Sequence, residues 1–390
     1  MLLSLALIFI LSIILGKILE LIKLPTLLGM LATGIILGPQ LLNLIDSSVL
    51  DISAQLRQIA LVVILLRAGF NLNINELKEN GRSSVLLSFV PACFEIIAVV
   101  VLAPLFFSVS YLEAGIIGTV LAAVSPAVIV PRMIGFIEKK IGTKKCIPQM
   151  ILAGASLDDI VVMVIFSSLI SVATSDIFSP IGLLKLPISI ILGVILGVSV
   201  SILLKFIFKK VKLRDSLKII ILMSFSFLLI SLESSITGIF NFSALLAIMS
   251  LAMFLRNKKP DLSTRLSSKL SKIWTLAEIL LFSLVGATVN LSYAVSLGFL
   301  PIIFIFIVLS TRLLGVYISL IKSKLNKKEK LFCCFSYIPK ATVQAAIGSI
   351  PLSLGLACGD IVLTISVLSI IITAPLGAIL IDKTHKKLLK

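Results

Sequence analysis

The amino-acid sequence of 390 residues predicts an all-α polytopic membrane protein with about thirteen transmembrane helices. Hydrophobic residues make up 59% of the chain and charged residues 14%, whereas soluble domains contain roughly 45–50% and about 25%. A soluble fold cannot bury so much apolar surface and still cover itself with polar groups. Apolar stretches of about 20 residues, the length that a helix needs to cross a bilayer, recur from end to end. We therefore predict a single integral membrane unit over residues 1–390.

Thirteen apolar runs are candidates for transmembrane helices. The candidate spans are 2–22, 24–38, 54–71, 83–107, 114–136, 148–173, 181–206, 217–232, 235–255, 272–290, 296–320, 331–355 and 361–381. The first run lacks a basic leading segment and a small-residue cleavage site, so it is predicted to span the membrane rather than to act as a signal peptide.

Lys and Arg, whose excess gives the chain a net charge of +17, cluster in alternate loops. Basic residues fall at Lys23, in the loops 72–82, 137–147, 207–216, 256–271 and 321–330, and in the tail 382–390. The loops 38–53, 174–179 and 357–360 contain no Lys or Arg. Positive charge marks cytoplasmic loops. We therefore predict a multi-pass protein of the plasma membrane, in contact with lipid, with its N-terminus outside and its C-terminus in the cytoplasm. No folded soluble domain presents a basic face, so nucleic-acid binding is not predicted.

Cysteine and histidine usage excludes two common kinds of site. The five cysteines are odd in number and scattered, and the one histidine, His385, lies in the C-terminal tail. This pattern indicates neither a disulfide framework nor a zinc site. We expect no cofactor.

Prolines interrupt the fifth and the twelfth span. The fifth contains Pro126 and Pro131, and the twelfth contains Pro339 and Pro351. Proline removes an amide donor and clashes with the preceding turn, so each span is predicted to break near mid-membrane. Either break alone is explained by an ordinary kink. Spans seven apart run in opposite directions, however, so spans 1–6 and 8–13 fit inverted repeats. Paired interruptions of this kind indicate a transporter's binding site.

Ionisable side chains within apolar spans are costly and usually functional. They are Arg67, Glu95, Asp158, Asp159, Glu278, Arg312 and Lys340. Two adjacent buried carboxylates cannot both stay ionised without a cation. Successive helical residues point about 100° apart, so one aspartate can face a basic side chain while the other alternates between a proton and a small metal ion. The alternative is a salt bridge that only holds helices together, and this structural interpretation is favoured for Glu95 and Arg312.

The run Tyr337-Ile-Pro-Lys-Ala-Thr-Val-Gln-Ala-Ala-Ile-Gly348, with the Asp158-Asp159 tandem and the two broken spans, resembles the monovalent cation:proton antiporters. The branch most similar to this chain contains the NHA-type sodium/hydrogen antiporters. The resemblance implies a transporter and not an enzyme, with a role in pH homeostasis. It also implies inverted repeats with two crossing broken helices, a homodimer, and elevator-type alternating access. The dimerisation domain and linker would lie mainly in 1–82 and 207–271, and the ion-translocating core mainly in 83–173 and 272–390.

The resemblance also implies roles for single residues. Asp159 would bind the cation and the proton, with Asp158 as its partner. Lys340 would compensate charge at the crossing and pair with Asp158, and Glu95 and Arg312 would form a core ion pair. Arginine is effectively never deprotonated, so Arg312 cannot carry a proton where other branches have lysine. This favours electroneutral exchange of one proton for one cation.

Oxygen donors near the tandem indicate a sodium or lithium ion as substrate. The candidates are Ser125, Ser156 and Thr342, in addition to the aspartates. Three alternatives remain open: a K⁺/H⁺ efflux antiporter of the same superfamily, a passive cation channel and an intramembrane aspartyl protease. The protease needs Gly-x-Gly-Asp, and the nearest match, Ala357–Asp360, lacks the first glycine.

Overall fold

The computed structural model describes residues 1–71, 81–174, 180–211, 213–236 and 242–389, and these residues are helical almost throughout. We number the described α-helices in chain order. They are α1 (Leu2–Leu21), α2 (Leu27–Leu37), α3 (Ser47–Asp51), α4 (Ser53–Asn71), α5 (Gly81–Leu87), α6 (Val90–Phe107), α7 (Tyr111–Leu121), α8 (Pro126–Glu138), α9 (Ile147–Ala173), α10 (Pro180–Lys210), α11 (Asp215–Ile236), α12 (Ala244–Lys258), α13 (Pro260–Thr288), α14 (Leu291–Ser296), α15 (Leu300–Ser319), α16 (Lys327–Ser336), α17 (Thr342–Ile347), α18 (Ile350–Ser353) and α19 (Gly359–Leu388).

Ten helical stretches within the described part of the chain are long and apolar enough to cross a membrane. They coincide with ten of the thirteen predicted spans. The other three predicted spans, 24–38, 235–255 and 331–355, contain shorter helices. In the second span, α2 has only 11 residues. In the ninth, α12 has 15 residues, and residues 237–241 of that predicted span lie outside the described part of the chain.

Two helices differ from the predicted boundaries for identifiable reasons. The predicted loop 256–271 is largely helical, because α13 begins at Pro260. Leu262, Leu266 and Leu270 are buried at a spacing of four, which gives the polar start of α13 an apolar face. The short helix α3 lies in a predicted loop, where the Asp46 side chain accepts a hydrogen bond from the Ser48 amide and caps the helix.

Both predicted helix breaks are present. In the fifth span, α7 ends at Leu121 and α8 begins at Pro126. In the twelfth, α16 ends at Ser336 and α17 begins at Thr342. Pro126 takes the first position of α8, where a missing amide hydrogen costs nothing. The chain therefore restarts a helix directly after each break instead of continuing through a kink.

The chain folds into two compact units. The first comprises Met1–Arg57, Ile74–Val162 and Ile279–Lys390, and it contains both breaks. Its apolar core includes a cluster in which Phe136 of α8 packs against Phe332 of α16 and beside Ile151 of α9. This cluster holds the second half of the fifth span against the first half of the twelfth.

The second unit comprises Gln58–Asn73 and Met163–Glu278. Within it, α10 packs closely against α12 through two glycines one turn apart. A Cβ on Gly193 would lie 2.7 Å from the Ser243 carbonyl oxygen, and a Cβ on Gly197 would overlap the Ala247 carbonyl. Small residues let helix backbones approach in this way inside membranes, where apolar burial alone does not drive helices together.

Candidate functional site

The two helix breaks meet through their backbones. The Ser125 amide donates to the Pro339 carbonyl at 2.8 Å, which joins the fifth span to the twelfth. The Lys340 amide donates to Thr373 Oγ1 of α19 at 3.0 Å. The Val124 amide donates to Asp158 Oδ2 of α9 at 3.0 Å. These three backbone amides at the breaks thus have partners, as burial inside a membrane requires.

The C-terminal end of α7 collects three polar side chains. A helix leaves its last four carbonyl groups without intrahelical partners, and here the next four residues do not continue the helix. Lys340 Nζ donates to the Leu121 carbonyl and Arg312 Nη1 to the Ala122 carbonyl. Gln344 Nε2 donates to the carbonyls of Val120 at 3.1 Å, Leu121 at 3.4 Å and Ala123 at 2.8 Å. Two cations therefore lie at the negative end of the helix dipole, where they are stabilised.

A continuous network of four charged side chains lies beside this helix end. Arg312 Nη1 is 2.9 Å from Glu95 Oε2, and Arg312 Nη2 is 2.6 Å from Asp158 Oδ2. Lys340 Nζ is 2.6 Å from Glu95 Oε1. The side chains are 0% exposed, except for Lys340 at 1%. Two carboxylates and two cations give the network a formal net charge of zero.

The pairing within this network differs in one respect from the expectation from sequence. Glu95 and Arg312 are paired, but Lys340 lies on Glu95, and Arg312 takes the place beside Asp158 that was expected for Lys340. The planar guanidinium presents several donors in a fork and can serve two carboxylates at once. Arg312 is also held by the Tyr337 carbonyl, which accepts from its Nε at 3.1 Å.

Asp159 stands outside the network. Its side chain is 5% exposed, and the described residues provide it with no ion pair. Its Oδ1 atom is buried without a hydrogen-bond partner in the part of the chain that the structure describes. Asp158 and Asp159 are adjacent on α9, so they point about 100° apart. Asp158 is therefore paired with Arg312, whereas Asp159 forms no ion pair with any described side chain.

Oxygen atoms without partners concentrate around the tandem. Ten buried side-chain nitrogen and oxygen atoms in the described residues have no hydrogen-bond partner, and six of these are oxygens at the crossing or on the tandem. The six are Ser125 Oγ, Asp158 Oδ1, Asp159 Oδ1, Tyr337 Oη, Thr342 Oγ1 and Gln344 Oε1. A buried polar group without a partner costs about 1–3 kcal/mol. A set composed only of oxygens fits a hard cation.

The outcome for the remaining predicted ligands is mixed. Ser125 and Thr342 lie at the ends of the two breaks, on either side of the Ser125–Pro339 contact. The side chain of Ser156 lies outside the described part of the chain, so its predicted role stays a prediction. Gln344 and Tyr337 are not among the ligands predicted from sequence. A signal for them exists, because both are polar groups within the otherwise apolar run around Pro339.

We expect the Gln344→Leu variant to be less stable, because the substitution removes the amide that caps the end of α7. The carbonyls of Val120 and Ala123 would then lack this donor, at a cost of about 1–3 kcal/mol. Thermal unfolding of the purified protein in detergent measures the loss. Ser353→Ala is the matched control, since Ser353 is exposed and its hydroxyl bonds a carbonyl three residues away. Equal melting temperatures for Gln344→Leu and the control would contradict this capping role.

Two broken helices that meet beside a buried carboxylate are the arrangement typical of one class of protein, the membrane transporters. The comparisons with known proteins agree. The family model described as "Sodium/hydrogen exchanger, transmembrane" matches residues 5–384. The chain therefore belongs to the sodium/hydrogen exchanger family, and it is a transporter and not an enzyme.

Individual relatives match along nearly the whole chain. Sodium/hydrogen exchanger 9B2 of Mus musculus is 32% identical over 396 residues, which is 96% of this chain and 71% of the relative. Sodium/hydrogen exchanger 9B1 of Homo sapiens is 31% identical over 407 residues, 99% of this chain and 78% of the relative. Among solved structures, the sodium proton antiporter MjNhaP1 from Methanocaldococcus jannaschii at pH 8 matches with a TM-score of 0.84 and 22% identity, over 99% and 97% of the chains. This match confirms the predicted antiporter fold.

Proposed function

We propose that this chain exchanges protons for sodium or lithium ions across the plasma membrane, and that Asp159 is the carboxyl group at which the two substrates compete. The observation that carries the proposal is the charge distribution at the crossing. Four charged side chains pair into a network of zero net charge, whereas Asp159 forms no ion pair among the described residues. A buried carboxyl without a fixed cation is neutral only when it binds a proton or a mobile cation.

The neutral network leads to electroneutral exchange. Arg312 keeps its proton at every physiological pH. Lys340 compensates Glu95, and its ammonium group donates to the Glu95 carboxylate and to the Leu121 carbonyl. A Lys340 that stays charged throughout the cycle leaves only Asp159 to load and unload. Each transport cycle then moves one proton in one direction and one cation in the other.

The substrate is proposed from the donor atoms. Asp159 Oδ1, Asp158 Oδ1, Ser125 Oγ and Thr342 Oγ1 are carboxylate and hydroxyl oxygens that have no hydrogen-bond partner among the described residues. Hard cations prefer such oxygens, and Ser156 is a further candidate ligand. The alternative substrate is potassium, which the same kinds of atoms also bind. A measurement of which cations drive proton release from proteoliposomes distinguishes potassium from sodium and lithium.

The alternating-access part of the proposal concerns movement and assembly. We propose that the segments 83–173 and 272–390 carry the site across the membrane as an elevator. The segments 1–82 and 207–271 would form mainly the dimerisation domain of a homodimer and the linker. The alternation of basic loops supports an external N-terminus and a cytoplasmic C-terminus.

The test is dequenching of a pH-sensitive dye in proteoliposomes, with pulses of sodium, lithium and potassium at several pH values. We expect sodium and lithium to release protons from acid-loaded vesicles and potassium to release few. As a control, the Asp382→Asn variant should respond to the cations as the unmodified protein does, because Asp382 pairs with Arg132 outside the network. A response to potassium that equals or exceeds the sodium response would favour the potassium alternative, and no response to any cation would contradict antiport.

A further inference from the structure

Arg57 is a buried arginine that takes no part in the site described above. It lies in the second turn of α4, and its residue is only 6% exposed. Its Nη1 donates to Thr288 Oγ1 at 3.0 Å, and the Thr288 hydroxyl in turn donates to the Val285 carbonyl. Arg57 Nε is buried and has no partner among the residues that the structure describes. Within that part of the chain, the guanidinium therefore has a neutral contact and at least one unused donor.

The surroundings of Arg57 contrast with those of the arginines in ion pairs. Arg312 contacts two carboxylates, and Arg132 and Arg265 contact one each. Arg57 has no carboxylate within 4.0 Å among the described residues. Asp46, which precedes α4 in the chain, is paired with the N-terminal amino group. A buried charge without a counter-charge is strongly unfavourable, so it attracts a counter-ion.

Helix dipoles only partly offset this charge. Thr288 is the last residue of α13, and the C-terminal end of a helix carries about half a negative charge. Arg57 also lies near the N-terminal end of its own helix, which carries a partial positive charge of similar size. Half a negative charge does not balance the whole positive charge of Arg57, so a net positive charge remains beside Thr288.

We propose that Arg57 and Thr288 form a binding site for a compact anion, in which the Arg57 guanidinium donates to the anion and Thr288 holds the guanidinium in place. The shared chemistry of the occupant is a single negative charge on a group small enough to contact the guanidinium. It can come from a chloride ion in solution or from the phosphate of a lipid headgroup at the end of α4. The site is separate from the exchange chemistry and goes beyond the proposed function.

The test measures thermal unfolding of the delipidated protein in detergent while chloride replaces gluconate at constant sodium and ionic strength. A ligand that binds only the folded state raises the melting temperature in a saturable way. We expect a saturable rise in the melting temperature of the unmodified protein. For a chain of this length, each kcal/mol of binding raises the melting temperature by about 2–4 °C or less. Arg57→Gln should abolish the rise, and Thr288→Val should weaken it. Arg132→Gln, which removes an arginine already paired with Asp382, should leave it unchanged.

A second arm of the experiment adds lipid to the chloride-free protein. The lipid is either the anionic phosphatidylglycerol or, for comparison, the zwitterionic phosphatidylcholine. Stabilisation by phosphatidylglycerol that requires Arg57, without a chloride response, identifies the lipid phosphate as the occupant. A melting temperature of the unmodified protein that responds to neither anion overturns the proposal, even if Arg57→Gln fails to fold. An anion response that persists in Arg57→Gln also overturns it. A change from dimer to monomer in Arg57→Gln, without anion dependence, would assign the counter-charge to a second copy of the chain and overturn it as well.

Discussion

The Asp159→Asn variant is expected to fold normally and to lose all cation-driven proton exchange. The amide has nearly the shape of the carboxyl group, but it neither binds the exchanged proton nor balances the charge of a cation. Because Asp159 belongs to no ion pair within the described residues, its replacement leaves the network of Glu95, Asp158, Arg312 and Lys340 intact. Dye dequenching in proteoliposomes measures the exchange, and thermal unfolding measures the integrity of the fold.

Asp360→Asn provides the control for this prediction, since Asp360 is an exposed carboxylate in the first turn of α19. We expect it to exchange at the rate of the unmodified protein. Exchange by Asp159→Asn at that same rate would show that the competing carboxyl is a different group. Loss of exchange together with a collapse of the melting temperature would show that Asp159 is needed for folding.

Removal of either partner of the Glu95–Arg312 pair is expected to destabilise the protein strongly. Each single truncation leaves uncompensated charge in the buried network, at a cost of about 3–5 kcal/mol. In Arg312→Ala, Asp158 loses its cation and Glu95 keeps only Lys340. In Glu95→Ala, Lys340 loses its carboxylate. The double variant retains Asp158 and Lys340, which have opposite charges, so it should lose less than the sum of the two single variants.

The measurement is a double-mutant cycle of unfolding free energies for the two single variants and the double variant. Residues in contact typically couple by about 0.5–3 kcal/mol, whereas distant residues are additive. Arg132→Ala with Asp382→Ala is a matched control cycle, because that pair is partly exposed and weak coupling is expected there. Strict additivity for Glu95 and Arg312 would contradict the buried network.

The broken helices and the tandem were predictable from sequence because each depends on local chemistry. Pro126 and Pro339 mark the breaks, and two adjacent aspartates in an apolar helix are recognisable without a structure. The partner of Lys340 was not predictable, because it depends on the meeting of α6, α15 and the twelfth span, which are far apart in the chain. Spacing along the sequence carries no information about such a choice between two carboxylates.

Capping and burial at helix ends were also hidden from sequence. Gln344 caps carbonyls more than two hundred residues earlier in the chain, and these carbonyls are free only because α7 ends at Leu121. Arg57 lies near a predicted span boundary, where an arginine ordinarily reaches the membrane surface. Its burial beside Thr288 depends on the packing of α4 against the end of α13.

The most direct test of exchange at a single carboxyl is the pH difference at which net proton flux stops under an imposed sodium gradient. Proteoliposomes are held at zero membrane potential with valinomycin and equal potassium on both sides, and the pH outside is varied. At a tenfold sodium gradient, exchange of one proton per sodium stops at a difference of about 1 pH unit, and exchange of two protons stops at about 0.5 unit. We expect about 1 unit. A null point at about 0.5 unit would show that a second group, such as Lys340, also gives up a proton in each cycle.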